Sequence, residues 1–151
     1  MEEDEYRRIY RQANPHRCLF EKAILARRCD CSRAQRHNLA EREAMGCTSA
    51  EGHAQCEAWL QLVREKAQFA LQLVEVGGAL PHAKEIRVQA GGVQGLVDLL
   101  THAGELVSKD DIHGLLTTAR ACYGTLEEVP FDAVVRAVGQ FRARPRRRGK
   151  D

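Results

Sequence analysis

Five of the six cysteines in this chain lie within one stretch of 39 residues, and this clustering is the feature that most constrains the fold. Their spacing is Cys18-x10-Cys29-x-Cys31-x15-Cys47-x8-Cys56. A soluble helical domain has little packing reason to gather thiols in one third of its length, whereas a metal centre needs several thiolates at one place. We therefore expect the segments that carry these cysteines to fold around a shared site.

The composition favours helices. A chain of 151 residues suits one domain with a buried core. The aromatic content of 5% is low for a β-sandwich, while 44% hydrophobic and 29% charged residues are ordinary for a soluble globular protein. The sequence thus predicts a mainly α fold, a small multi-helix domain with a cysteine-rich N-terminal half and a helical C-terminal half.

The charge pattern divides the chain into four segments. A charged N-terminal segment, 1–14, and a basic tail, 143–151, are both expected to be solvated, and the tail shows no apolar periodicity. Between them we predict a cysteine-rich helical cofactor module over 15–76 and a helical docking module over 77–142.

Three helices are predicted in the first half. Asn14-Pro15 is a suitable start for a helix that continues to Arg28, and Ser32 can cap a second, nearly all-polar helix that ends at Gly46. The capping box Thr48–Glu51 starts the longest helix, which Gly77 and Gly78 should end. Its apolar stripe is the expected core and comprises Cys56, Trp59, Leu60, Val63, Ala67, Ala70, Leu71 and Val74.

In the second half, residues 85–89 are expected to form a short extended segment before a helix over 93–102. Ser108 with Asp111 then caps a helix over 110–123, and Pro130 starts the last helix. Cys122 is expected to be a small buried hydrophobic residue near a helix end.

Cys29, Cys31, Cys47 and Cys56 are the predicted ligands of one centre, with Cys18 as the substitute for one of them. The first three are expected in loops, which can aim ligands at one point, and Cys56 faces inward on the long helix. In a plain antiparallel helical hairpin, however, Cys18 and Cys47 would lie about 15 Å from the C-x-C pair. Either the first helices wrap around a central cofactor, or the cysteines divide into two smaller sites.

An iron–sulfur cluster is the predicted cofactor, with [4Fe-4S] favoured and zinc as the alternative. Five thiols exceed the four of a closed zinc site, and the C-x2-C hairpins that usually shape zinc sites are absent from the sequence. Redox-switch thiols, disulfides and uncoordinated core cysteines are further alternatives. Nearby basic residues can offset the negative charge of a thiolate-bound cluster: Arg17, Arg27, Arg28, Arg33 and Arg36.

His53 lies three residues before Cys56 on the same helical face, a spacing that could chelate one metal. The interpretation preferred for His37 and His53 is that they are surface residues or residues that support the ligands, since enough cysteines are already present. The sequence has no phosphate-binding loop and no oriented nucleophile and base, so we expect a cofactor-binding protein rather than an enzyme. It also shows no secretory signal and no apolar run of about 18 residues, which favours a cytoplasmic protein without a membrane span.

The predicted function is electron transfer or redox sensing with a protein partner. The alternative is a zinc-stabilised interaction or regulatory protein whose basic surface, including the tail, meets nucleic acid or an acidic protein. A third interpretation is a helical adaptor whose first half is locked by disulfides between helices.

Overall fold

A computed structural model describes residues 2–72 and 78–142 and has a mainly α fold, as predicted. A two-stranded sheet lies among the helices of the first half. In chain order the elements are α1 Glu3–Ala13, α2 Glu21–Leu25, β1 Ala34–Leu39, β2 Arg42–Cys47, α3 Ala50–Lys66, α4 His82–Ile86, α5 Gly92–His102, α6 Ile112–Tyr123 and α7 Phe131–Gln140.

The predicted second helix, from Ser32 to Gly46, is wrong, because this segment forms the antiparallel hairpin of β1 and β2. The connecting residues Ala40 and Glu41 have φ angles of 49° and 69°. Positive φ at both central residues is what a two-residue hairpin turn of type I′ requires. Packing of β2 against α2 and α3 outweighs the helix propensity of this alanine- and glutamate-rich segment.

The predicted first helix is also too long. Only α2 is helical in this segment, and before it a turn brings Arg17 into an isolated antiparallel bridge with Gly46 of β2. The Cys18 N–H donates a hydrogen bond of 2.9 Å to the Met45 carbonyl oxygen. These contacts place Cys18 beside the end of β2, where Cys47 lies.

The long helix α3 begins one residue later than the capping box of Thr48 and Glu51 predicts. Ser49 is its N-cap, and the Ser49 hydroxyl oxygen accepts a hydrogen bond from a backbone N–H one turn later. The buried Trp59 ring stacks on Phe131 of α7, with 5.5 Å between ring centroids. The helix ends at Lys66, earlier than predicted, and residues 73–77 of the expected stripe and helix end lie outside the described residues.

The segment 85–89 is helical rather than extended. The helix α4 continues through a π-helical turn, Arg87–Gly91, directly into α5. The helix α6 begins after Asp111 and α7 begins after Pro130, both within one or two residues of prediction. Within the described ranges, every helix is too short or too polar to cross a membrane.

Buried side chains form one continuous cluster that extends from Phe20 through Trp59 to Val138. The two halves also share polar contacts, since the Asp111 carboxylate accepts a hydrogen bond of 2.7 Å from the Ser32 hydroxyl. The functional division at residue 77 stays a prediction. The predicted basic tail, 143–151, lies outside the described residues.

The helices α5 and α7 approach closely at Gly95. A Cβ atom added there would lie 2.9 Å from the Ala137 Cβ and 2.9 Å from the Val134 Cα. We expect Gly95→Ala to lower the free energy of unfolding by about 1–2 kcal/mol, because the overpacking cost exceeds the gain in helix propensity. Urea-induced unfolding measures the change.

The control is Gly139→Ala in α7, where an added Cβ would meet its nearest atom, the Ala70 Cβ, at an ordinary 3.8 Å. This variant should be neutral or slightly stabilising. Equal effects of the two substitutions would contradict the close approach of α5 and α7.

Candidate metal centre

Four of the five clustered cysteines line one small cavity with a volume of about 20 Å³. The four are Cys18, Cys31, Cys47 and Cys56. The rest of the lining is Leu19, Phe20, Arg33, Ala34, Gly52, His53, Ile112 and His113. Each cysteine comes from a different part of the fold, so this convergence is produced by tertiary structure.

The hairpin explains how distant cysteines meet. In its register Ala34 is opposite Cys47, and Cys31 comes three residues before Ala34, so both cysteines lie at the same end of the hairpin. Cys18 joins them through its hydrogen bond to β2. Cys56 approaches from the second turn of α3. The separation of about 15 Å expected for a helical hairpin therefore does not arise.

Cys29 does not line the cavity, although it is only 4% exposed. The next residue, Asp30, is held by the second half of the chain: its N–H donates to the Lys109 carbonyl at 3.0 Å, and its carbonyl accepts from the Ile112 N–H at 3.1 Å. Burial raises the pKa of the Cys29 thiol to about 12. The structure thus brings the predicted substitute, Cys18, to the cavity in place of Cys29, while metal binding by any of these thiols stays a prediction.

Three of the four cavity thiols, Cys18, Cys31 and Cys56, favour the protonated form. Burial raises the pKa of Cys18 to about 12 and also raises the pKa values of Cys31 and Cys56, and the neighbouring thiols add to each shift. A neutral thiol is a poor nucleophile. A metal cation reverses this preference because it binds the thiolate and releases the proton.

Backbone N–H groups favour a negative sulfur at two positions. The Arg33 N–H donates a hydrogen bond of 3.4 Å to the Cys31 Sγ. The backbone N–H groups of Arg33 and His113 lower the pKa of Cys31 against the larger effect of burial, and that of Phe20 does the same for Cys18. The His113 group belongs to the first turn of α6, where the helix dipole also favours negative charge.

Two histidines line the cavity, and sequence reasoning singled out one of them. The His53 Nε2 lies 3.2 Å from the Arg17 carbonyl oxygen, so this ring has a partner. His113 carries no sequence signal, because its approach depends on the docking of α6. Its Nδ1 is buried without a hydrogen-bond partner among the described residues. His37 lies away from the cavity lining, with its Nε2 packed near Gly46.

One of the five predicted arginines, Arg33, lines the cavity. Arg17 contacts Glu21 at 3.0 Å, and Arg36 contacts Glu43 at 2.9 Å. That arginines offset the charge of a bound cluster stays a prediction.

The prediction that Cys122 is buried is wrong. Its side chain is exposed near the end of α6, and its Sγ lies 3.4 Å from a carboxylate oxygen of Glu105. Cys122 is not among the cavity residues, which makes it a suitable control thiol.

Comparison of the chain with protein-family models, with curated proteins and with solved structures finds no match. The chemistry of the cavity therefore has to be inferred from its own residues. In the part of the chain that the structure describes, no three Cys, His, Asp or Glu side chains form a group that could hold a single metal ion.

Proposed function

We propose that this protein binds a [4Fe-4S] cluster through Cys18, Cys31, Cys47 and Cys56 and acts in electron transfer or redox sensing with a protein partner. The observation that supports this most directly is that four thiols from four separate parts of the fold line one cavity. Four thiolates are the complete protein ligand set of such a cluster.

The arrangement of the thiols favours a cluster over a single ion. A [4Fe-4S] cluster takes one thiolate at each of its four irons, so it accepts sulfur atoms that are spaced around a central volume. A single zinc ion needs four ligands within about 2.3 Å of one atom. The four cysteines line one cavity, yet among the described residues no three Cys, His, Asp or Glu side chains could hold a single ion, which favours the first requirement over the second.

Buried apolar side chains and a backbone N–H group of the cavity lining provide two features that favour a bound cluster. Phe20 and Ile112 are buried apolar residues of the lining, and they limit the access of water. The N–H group of Arg33 already points at the Cys31 sulfur, and such hydrogen bonds stabilise bound thiolates and tune reduction potentials.

The partial exposure of three cavity cysteines supports a role with a partner protein. Cys31, Cys47 and Cys56 are partly exposed, so a cofactor bound to them would lie near the protein surface. A cluster there would supply one-electron chemistry. It would accept one electron from a reduced partner protein and pass it to an oxidised partner protein, with no bond made or broken in the protein. Partial exposure of three thiols is thus compatible with exchange between proteins.

Protein purified under anaerobic conditions tests the proposal. We expect a brown protein with about four iron and four acid-labile sulfide per chain. Replacement of the exposed control thiol, Cys122→Ala, should leave the iron content and the visible spectrum unchanged, since Cys122 is not a cavity residue. Colourless protein with one zinc per chain would overturn the proposal.

A zinc-stabilised interaction protein is the second candidate, and the small free space of about 20 Å³ favours it. A cluster requires the surrounding side chains to move outward, whereas a single ion needs less room but requires the cysteines to move toward it, since no three side chains among the described residues could hold an ion as they stand. In this case the metal would contribute to folding, and binding of an acidic protein or nucleic acid would be a separate property of the surface. The same metal analysis distinguishes the two candidates.

A further inference from the structure

We infer that His113 donates a hydrogen bond from Nδ1 to a sulfur atom of the bound cluster and thereby raises its reduction potential. This inference rests on the proposed cluster. Its starting observation is that the His113 Nδ1 is buried without a partner on a residue that lines the four-cysteine cavity. Buried polar groups in folded proteins nearly always have a partner, so an unpaired one at a cofactor cavity points to the cofactor.

The fold holds His113 in place from two sides. The Asp111 carboxylate caps α6 by accepting from the Gly114 N–H at 3.2 Å, and it also accepts from the Ser32 hydroxyl at 2.7 Å. These bonds tie the first turn of α6 to the segment that carries Cys31. On the other side Gly52 leaves space for the ring, because a Cβ added there would lie 2.9 Å from the His113 Nδ1.

The donor role follows from the number of available ligands. Four cysteines already complete the ligand set of a [4Fe-4S] cluster, so the imidazole is not needed as a ligand. A hydrogen bond to a thiolate or bridging sulfide stabilises the reduced cluster more than the oxidised one, because the reduced cluster is more negative. His53 is not equivalent, since its Nε2 already lies 3.2 Å from a backbone carbonyl oxygen.

The test compares His113→Leu with His113→Asn in the full chain, purified anaerobically. Asparagine can place an amide N–H near the position of Nδ1, whereas leucine has no donor. Iron and sulfide are measured first, and the reduction potential is then determined by redox titration followed by electron paramagnetic resonance. His102→Leu, an exposed histidine at the end of α5, is the control.

We expect His113→Leu to keep its iron and sulfide but to have a lower reduction potential. At the midpoint potential of the unmodified protein, the ratio of reduced to oxidised cluster in His113→Leu should be roughly tenfold lower than in the unmodified protein. This change corresponds to the loss of one hydrogen bond to a charged group. His113→Asn should recover part of the shift, and the control should show none.

An unchanged potential in a fully loaded His113→Leu protein would overturn the inference while leaving the proposed cluster in place. Loss of iron from that variant, with thermal unfolding unchanged, would also overturn it, because His113 would then act as a ligand. Zinc in place of iron in the unmodified protein would instead remove the proposed function itself, and the donor role with it.

Discussion

Cys18→Ser is expected to remove most of the bound iron and sulfide, whereas Cys29→Ser should leave the iron content close to that of the unmodified protein. The two thiols are closely matched otherwise: they are 8% and 4% exposed, and burial raises the pKa of each to about 12. They differ in that Cys18 lines the cavity and Cys29 does not. Substitution of a residue that only supports a ligand lowers metal affinity by about 10–100-fold, and substitution of a ligand should lower it more.

The measurement is iron and sulfide per chain, with the visible spectrum, for each single variant. Cys31→Ser, Cys47→Ser and Cys56→Ser should resemble Cys18→Ser, and they should also lower the unfolding temperature of loaded protein, because metal binding contributes to folding. A loss of iron from Cys29→Ser as large as that from Cys18→Ser would contradict the choice of ligands.

The choice between Cys18 and Cys29 shows where sequence reasoning reached its limit. The C-x-C spacing suggested that Cys29 and Cys31 act together, and helical geometry placed Cys18 far from both. The position of each cysteine depends on a long-range contact of its neighbour. Cys18 is placed by the bridge of Arg17 to Gly46, and Cys29 by the hydrogen bonds of Asp30 to Lys109 and Ile112. Neither contact can be predicted from the local sequence.

The hairpin was missed for a local reason. The segment has strong helix formers, and its turn residues Ala40 and Glu41 are not the asparagine and glycine that usually mark such turns. Ala44, Met45 and Gly46 are all buried in succession, so the alternation that indicates a strand is absent as well. By contrast, the capping signals that begin at Thr48 and Ser108 are local, and the helices α3 and α6 begin within a few residues of the positions that those signals predict.

Glu21 holds together the part of the fold that positions two of the cavity cysteines. Its carboxylate accepts hydrogen bonds from the Met45 N–H at 2.9 Å, from the Arg17 Nε at 3.0 Å and from the Tyr10 hydroxyl. Burial, followed by the effect of this carboxylate, raises the pKa of Tyr10, so the hydroxyl remains a donor. The Met45 carbonyl in turn accepts from the Cys18 N–H, two residues before Cys47.

We therefore expect Glu21→Ala to lower the free energy of unfolding by about 3 kcal/mol, because the buried Met45 N–H loses its acceptor and Arg17 loses its partner. Glu21→Gln keeps one carbonyl acceptor and should lose less. The control is Glu43→Ala, whose exposed carboxylate pairs with Arg36 at 2.9 Å and should change stability by no more than about 0.5 kcal/mol. Urea-induced unfolding of the metal-free protein measures all three variants, and a Glu21→Ala loss as small as that of the control would show that the carboxylate does not hold β2 in place.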